Sequence, residues 1–122
     1  MPNSRDFVAH VLELATAAGR PSARAMFGGH GLYLDGAFVG ILAGDTLYLK
    51  CDQDTVARFD ERDLEPFEYT KKDGGALAMS YRRAPDEALE SAPAMREWLM
   101  LALGASLRAA ASRPRRRRPS PA

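Results

Sequence analysis

The chain has 122 residues, of which 46% are hydrophobic and 27% are charged. This length supports one compact domain, and this composition excludes collagen-like, coiled-coil and wholly disordered proteins. The formal charge of +1 is unevenly distributed, because five of the 17 basic residues lie in the last ten positions. The other 12 basic side chains face 16 acidic ones, so residues 1–112 carry a balance of about −4.

The first predicted element is an amphipathic helix over residues 4–18. Apolar side chains recur at helical spacing from Phe7 to Ala18, and charged residues occupy the opposite face. Asn3 or Ser4 can cap the start of this helix, and Gly19 can end it.

Short apolar segments separated by glycine-containing turns follow between residues 24 and 51. Asp35-Gly36 accepts positive φ angles at low cost and Gly44-Asp45 offers another turn, so we predict an antiparallel meander of three or four strands. The connections are too short for a crossover helix, which excludes a βαβ unit. Residues 38–42 are apolar on both faces, as expected of a central strand, whereas apolar and polar residues alternate over 46–51.

The second half of the chain is predicted to add a short helix over residues 53–62, which Asp52 can cap. Two short strands, 66–69 and 77–81, are expected to form a second hairpin.

Two helices end the predicted domain. Pro85 opens a short one, and Ser91 can cap a longer one that reaches about residue 110. Residues 112–122 contain only Ser, Arg, Pro and Ala, which cannot bury enough apolar surface, so we predict a domain over 1–111 and a disordered arginine-rich tail over 112–122. Helices that flank the strands without alternating with them favour an α+β two-layer sandwich, in the order α-β(3-4)-α-β(2)-α, with an antiparallel sheet.

The segment RAMFGGHGLY, residues 24–33, resembles the N-terminal domain of the TfoX/Sxy family of bacterial competence regulators. The resemblance extends over about residues 5–110. The residues that carry it, to which we assign a structural role, are Arg24, Met26, Phe27, Gly28, Gly29, Gly31, Tyr33, Lys50, Pro66, Phe67, Tyr81, Pro85 and Trp98.

This resemblance implies a small α+β domain of the secretion-chaperone-like type, without an established catalytic activity or cofactor. The best-studied relatives act in the transcriptional control of DNA uptake. Longer regulators of the family carry a helical C-terminal domain where this sequence has the arginine-rich tail, so we expect a single-domain member.

Two features invite a catalytic interpretation. Backbone amides of the glycine-rich segment 28–31 could form an anion-binding nest, although a turn or bulge accounts better for these glycines. Cys51 could act as a nucleophile with His30 as its base and Asp35 or Asp52 as the orienting carboxylate. The alternation of residues 46–51, however, places this thiol on the apolar face, where it would be an unreactive core residue.

No cofactor is expected, and one cysteine with two histidines shows no metal-ligand spacing. The sequence has no apolar run near the ~20 residues that cross a bilayer, and its N-terminus does not resemble a secretory signal. Cys51 is the one cysteine, so it has no disulfide partner within the chain, as is common in a reducing compartment. We therefore expect a cytoplasmic protein without membrane contact.

Two features could contact nucleic acid. Tyr33, Tyr48, Tyr69 and Tyr81 lie in predicted strands, where they could stack on bases but more commonly pack across strands. The tail holds Arg113, Arg115, Arg116, Arg117 and Arg118. If all five met phosphates, log K would fall with log salt at a slope of about −4.5.

The sequence thus favours a non-enzymatic regulatory or interaction domain that acts through protein–protein contacts. A homodimer joined by sheet or helix faces is the simplest partner arrangement. The alternatives are an accessory nucleic-acid-binding protein that uses the tail and a small enzyme that uses His30 and Cys51.

Overall fold

The computed structural model describes residues 2–26, 28–70 and 76–112. In these ranges the elements are α1 (Arg5–Ala15), β1 (Pro21–Met26), β2 (Gly29–Leu34), β3 (Ala37–Ala43), β4 (Thr46–Lys50), α2 (Val56–Asp60), β5 (Pro66–Thr70), β6 (Ala76–Arg83), a 3-10 turn (Asp86–Leu89) and α3 (Ala92–Ser112). The six strands form one antiparallel sheet in the order β1-β2-β3-β4-β6-β5. The predicted α+β class and the predicted order of elements are confirmed.

The turns of two hairpins follow directly from the local sequence. Asp35 and Gly36, between β2 and β3, have φ angles of 49° and 83°, and Gly44 and Asp45, between β3 and β4, have φ angles of 56° and 57°. Positive φ at both central residues is the type I′ geometry, whose twist matches that of the flanking strands. Both predicted turns are confirmed.

Helix α1 begins as predicted and ends earlier than predicted. The Ser4 hydroxyl caps it by accepting a hydrogen bond from the Phe7 amide at 3.1 Å. The α-helix stops at Ala15, and the amides of residues 16–18 each bond to the carbonyl three residues earlier. The expected last turn of the helix is therefore a tighter turn, as is frequent at helix ends.

The two later helices also differ in length from the prediction. Helix α2 covers five residues, and the prediction that Asp52 caps it is wrong: residues 53–55 form a turn in which Asp52 Oδ1 accepts a hydrogen bond from the Asp54 amide at 3.1 Å, and Thr55 precedes the helix. A second turn over residues 61–63 ends the helix before residue 62. Helix α3 starts with the predicted cap, the Ser91 hydroxyl accepting from the Ala94 amide at 3.2 Å. It continues to Ser112, which the prediction placed in the tail.

The main hydrophobic core lies between one face of the sheet and the helices α1 and α3. Its buried side chains include Val11 and Ala15 of α1, Leu32, Leu34, Leu42, Leu47 and Leu49 of the strands, and Met95, Leu99 and Ala102 of α3. Helix α2 joins this core through Phe59, whose ring packs edge-on against Trp98 of α3 with 5.2 Å between ring centres. We call the opposite side of the sheet, which these helices do not cover, the outer face.

A bulge in β3 determines which of its side chains reach the outer face. The pairing of β2 with β3 shifts register between Leu32 and Tyr33, which leaves Val39 as an extra residue in β3. Side chains alternate between the two faces of a sheet, so one extra residue moves every later side chain of the strand to the opposite face. Ile41 consequently lies on the outer face, and Leu42 enters the main core.

Candidate interaction surface on the outer face

The register of the sheet brings residues from five strands together on the outer face, because directly paired residues of antiparallel strands share a face. They are Ser22, Arg24 and Met26 of β1, Gly31 and Tyr33 of β2, Phe38 and Ile41 of β3, Tyr48 and Lys50 of β4, and Tyr81 and Arg83 of β6.

Five of these side chains form a continuous row, which we call the aromatic row: Arg24, Tyr33, Phe38, Tyr81 and Lys50. The ring centre of Phe38 lies 5.2 Å from that of Tyr33 and 5.7 Å from that of Tyr81. A cation covers a ring at each end, Arg24 at 5.0 Å from the centre of Tyr33 and Lys50 at 5.0 Å from the centre of Tyr81. Phe38 lies two residues before Gly40, at which the pairing of β3 with β4 begins, and Tyr81 pairs with Lys50, the last residue of β4, so the two rings meet across the end of β4.

Gly31 provides the space in which part of this surface packs. A Cβ atom on Gly31 would lie 2.6 Å from Phe38 Cε1 and 2.6 Å from Met26 Cε. The side chains of Phe38 and Met26 therefore fold over the bare backbone of Gly31. Beyond the row, Tyr48 and Phe67 of β5 form a second tilted ring pair with 4.9 Å between centres.

The charged side chains described on the outer face are all positive. Among the side chains described on it, Arg24, Lys50 and Arg83 are cationic and none is acidic. Arg83 is paired with Glu65 and Asp86, whereas the ion pairs found among the described residues include neither Arg24 nor Lys50.

Tyr81 is the most enclosed member of the aromatic row, with 6% of its surface exposed. Burial, with a smaller contribution from nearby Tyr33, raises the pKa of its phenol from 10.0 to about 12. The phenol is therefore neutral at physiological pH, and the row keeps its positive charge.

The glycine-rich segment forms a hairpin. Met26 pairs with Gly29, and Gly28 lies between them with a φ of 77°, which glycine adopts without strain. A Cβ on Gly29 would approach the Leu42 carbonyl oxygen to 2.3 Å, so close strand packing requires this glycine too. The interpretation as a turn therefore accounts for these residues, and Phe27 lies outside the described residues.

His30 has a structural partner. Asn3 donates from Nδ2 to His30 Nδ1 at 2.9 Å and to the Leu42 carbonyl at 2.8 Å, while its own Oδ1 accepts from the Asp45 amide at 2.9 Å. The side chain of Asn3 thereby connects the start of the chain with His30 and with the end of β3.

The structure separates His30 from Cys51. His30 of β2 pairs with Leu42 of β3, and Leu42 pairs with Leu47 of β4. Cys51 follows four residues after Leu47, so it lies two strands away from His30 and about 13 Å further along the strand direction. Cys51 is 6% exposed, and burial raises the pKa of its thiol. The expected core position of Cys51 is confirmed.

Both proposed carboxylates have partners other than His30. Asp35 accepts a hydrogen bond from the Arg20 amide at 3.0 Å, and Asp52 binds Arg108. Within the described part of the chain, no three His, Cys, Asp or Glu residues form a group that could hold a metal ion.

An open cleft of about 580 Å³ lies beside Cys51, between the end of β4 and the last turns of α3. Arg108 spans it by donating from Nε to Asp52 at 2.7 Å and pairing with Asp54 at 3.2 Å. The guanidinium of Arg108 and the carboxylates of Asp52 and Asp54 thus pair with one another in this cleft.

A family model described as the TfoX N-terminal domain matches residues 13–106 of the chain. The chain belongs to this family. A search of curated proteins finds no match. Among the helices that the structure describes in this TfoX N-terminal domain, none is long and apolar enough to span a membrane.

The residues that carry the family resemblance divide between the core and the outer face. Trp98 and Pro85 are buried, and Pro66 pairs with Arg82 at the edge of the sheet. Those on the outer face are Arg24, Met26, Gly31, Tyr33, Lys50, Phe67 and Tyr81. The burial of Trp98 and Pro85 fits the structural role assigned from the sequence, and for the residues of the outer face that role stays a prediction.

Sequence reasoning missed Phe38, which joins the two halves of the aromatic row. A two-residue turn at Asp35-Gly36 makes Tyr33 the partner of Phe38, so the predicted hairpin already contained this signal. The arginines at 113 and 115–118 lie outside the described residues.

Proposed function

We propose that this TfoX N-terminal domain is a non-enzymatic regulatory domain that binds a protein partner through the outer face of its sheet. The observation that supports this proposal is the aromatic row, in which two cations and three aromatic rings lie on the side of the sheet that α1 and α3 leave uncovered.

The residue composition of the outer face supports this proposal. A sheet face that meets only water usually carries polar side chains in alternation with the core. Here Tyr33, Phe38 and Tyr48 are only half-buried, with Met26 beside them. Aromatic residues, Met and Arg are the residue types enriched at protein–protein interfaces, and Tyr and Arg commonly dominate their binding energy.

The experiment is site-specific photo-crosslinking in the native cells. The crosslinking residue replaces Ser22, which is exposed on the outer face, or Glu13, which is exposed on α1. We expect the position of Ser22 to give a discrete protein adduct that the position of Glu13 does not give. The same adducts from both positions, or none from Ser22, would contradict the proposal.

A second candidate function rests on the five arginines of residues 113–122. They supply an electrostatic anchor for phosphates that is independent of the outer face. Full-length protein should lose about 500-fold in affinity for duplex DNA between 50 and 200 mM salt if all five contact phosphates. Replacing the five arginines with glutamine should abolish binding, and unchanged binding would exclude this function.

A further inference from the structure

We infer that the partner presents an acidic protein segment to the outer face, with carboxylates that pair with Arg24 and Lys50 on either side of an apolar stretch. This inference rests on the proposed function and adds the chemistry of the partner.

Charge complementarity is the first argument. Residues 1–112 have a balance of about −4, yet the side chains described on the outer face include three cations and no carboxylate. Arg24 is exposed and Lys50 is half-buried, and the described residues offer neither of them a carboxylate partner. A partner that brings one carboxylate to Arg24 and another to Lys50 would form charge-assisted hydrogen bonds with both cations.

The spacing of the two cations is the second argument. Arg24 and Lys50 lie three strands apart, about 14 Å, and two residues apart along the strand direction, about 7 Å. Their separation is therefore about 16 Å. An extended segment covers this distance with about five residues, which leaves room for apolar side chains against Phe38 between two acidic positions.

The geometry of the rings favours a protein over a nucleic acid. A base needs a free ring face on which to stack. In the aromatic row, Arg24 covers one face of Tyr33, Lys50 covers one face of Tyr81, and Phe38 packs at steep angles of 56° and 67° against both rings. The row offers guanidinium and ammonium donors and ring edges rather than a stacking platform.

The same charges disfavour a second copy of this chain on the outer face. Two outer faces opposed across a two-fold axis would bring Arg24 and Lys50 of both copies together without a carboxylate between them. A homodimer that uses another surface, such as a helix face, is unaffected by this argument.

The test uses the full-length protein with the crosslinking residue at position 22 in four forms. They are the otherwise unchanged protein, Arg24→Glu with Lys50→Glu, Arg24→Lys with Lys50→Arg, and the matched control Arg5→Glu with Arg96→Glu. Arg5 and Arg96 are exposed on α1 and α3, so the control makes the same change of net charge away from the outer face.

We expect the Arg24→Glu, Lys50→Glu form to lose the adduct at least tenfold, while the control and the charge-preserving form retain it. The crosslinked segment of the partner, identified by mass spectrometry, should carry acidic residues about five positions apart. Changing those residues to lysine should restore the adduct of the Arg24→Glu, Lys50→Glu form, which also shows that this form is folded.

The outcomes separate the inference from the proposed function. Absence of a discrete adduct in the otherwise unchanged protein overturns both. A protein adduct that survives the charge reversal, or whose crosslinked segment lacks acidic residues, overturns the inference and leaves the proposed function standing. An adduct with nucleic acid in place of a protein adduct overturns both, and an adduct with a second copy of the chain overturns the inference.

Discussion

The carboxylate of Asp52 accepts two hydrogen bonds from the guanidinium of Arg108, from Nε at 2.7 Å and from Nη2 at 3.2 Å. Asp52 follows directly after β4, and Arg108 lies in the last two turns of α3. The two residues are 56 positions apart in the sequence, so this bidentate pair connects the edge of the cleft with the C-terminal part of the helix.

This pair should make stability depend on acid. The hydrogen bond from Arg108 is the main reason that the pKa of Asp52 is lowered from 3.8. A lowered folded-state pKa contributes stability above the unfolded-state pKa, and this contribution is lost as the pH falls through the folded-state value. Replacing Arg108 with Met should therefore lower the free energy of unfolding at pH 7, with a difference from the unchanged protein that shrinks below about pH 4.

Urea unfolding at a series of pH values measures this difference. The matched control is Arg96→Met, on the exposed side of the same helix, which should show no such pH dependence. A difference between Arg108→Met and the unchanged protein that persists undiminished at pH 3 would assign the effect to packing of the arginine stem.

Local sequence signals predicted the hairpin turns and the capped starts of α1 and α3, whereas the face of the sheet on which a strand residue lies depended on tertiary context. The turn at Asp35-Gly36 and the cap at Ser91 involve contacts within a few residues, so the sequence contains the information. The bulge at Val39 could not be predicted from the sequence, because residues 38–42 are apolar throughout and show no alternation of apolar and polar residues. That one residue places Ile41 rather than Leu42 on the outer face.

The candidate site shows the same limit. Arg24, Tyr33, Lys50 and Tyr81 were found as residues of the family motif, but they are distributed over four strands. Tyr81 lies beside Lys50 only because β4 pairs with β6, although α2 and β5 separate these two strands in the sequence. Pairing between distant segments cannot be derived from periodicity within each strand.

The phenol of Tyr81 should titrate well above the ordinary pKa of tyrosine. Burial is the main cause of its pKa of about 12, so folding favours the protonated phenol. A raised pKa of this kind contributes stability below the unfolded-state value of 10.0, and the contribution is lost as the pH rises through the folded-state value. The protein should therefore lose stability between about pH 10 and pH 12 more steeply than the Tyr81→Phe variant.

Ultraviolet absorbance of tyrosinate follows this titration, with unfolding recorded in parallel to separate ionisation in the folded state from denaturation. Tyr81→Phe should remove the late-ionising component, and Tyr48→Phe, on the same face, is the control that should keep it. Loss of the late component in Tyr48→Phe instead would show that burial at Tyr81 is not its source.

The glycines of β2 should differ in their tolerance of a methyl group. In Gly31→Ala the new Cβ meets side-chain atoms of Met26 and Phe38, which can move at a cost of about 1–3 kcal/mol. In Gly29→Ala it meets the backbone oxygen of Leu42 at 2.3 Å, which can move only with the strand. We expect Gly29→Ala to be the more destabilising change.

Denaturant unfolding compares the two variants, and crosslinking from position 22 distinguishes their consequences. Gly31→Ala should displace Phe38 from the aromatic row and weaken the adduct while the protein remains folded. An adduct of undiminished yield would show that the position of Phe38 is not required for binding. Equal destabilisation by the two substitutions would show that β3 adjusts as readily as the side chains do.

Cys51 should resist thiol reagents in the folded protein. The side chain is 6% exposed, and burial raises the pKa of its thiol, so both access and the thiolate fraction are low at neutral pH. If access requires a local opening that costs about 3 kcal/mol, an aromatic disulfide reagent should label the native protein about 100-fold more slowly than the urea-unfolded chain.

Since Cys51 is the one cysteine, the total label reports this site alone. Arg108→Met, which removes the ion pairs that span the neighbouring cleft, should accelerate native labelling, whereas Arg96→Met should not. Rapid labelling of the unchanged native protein at neutral pH would show a reactive thiolate and reopen the catalytic interpretation of this residue.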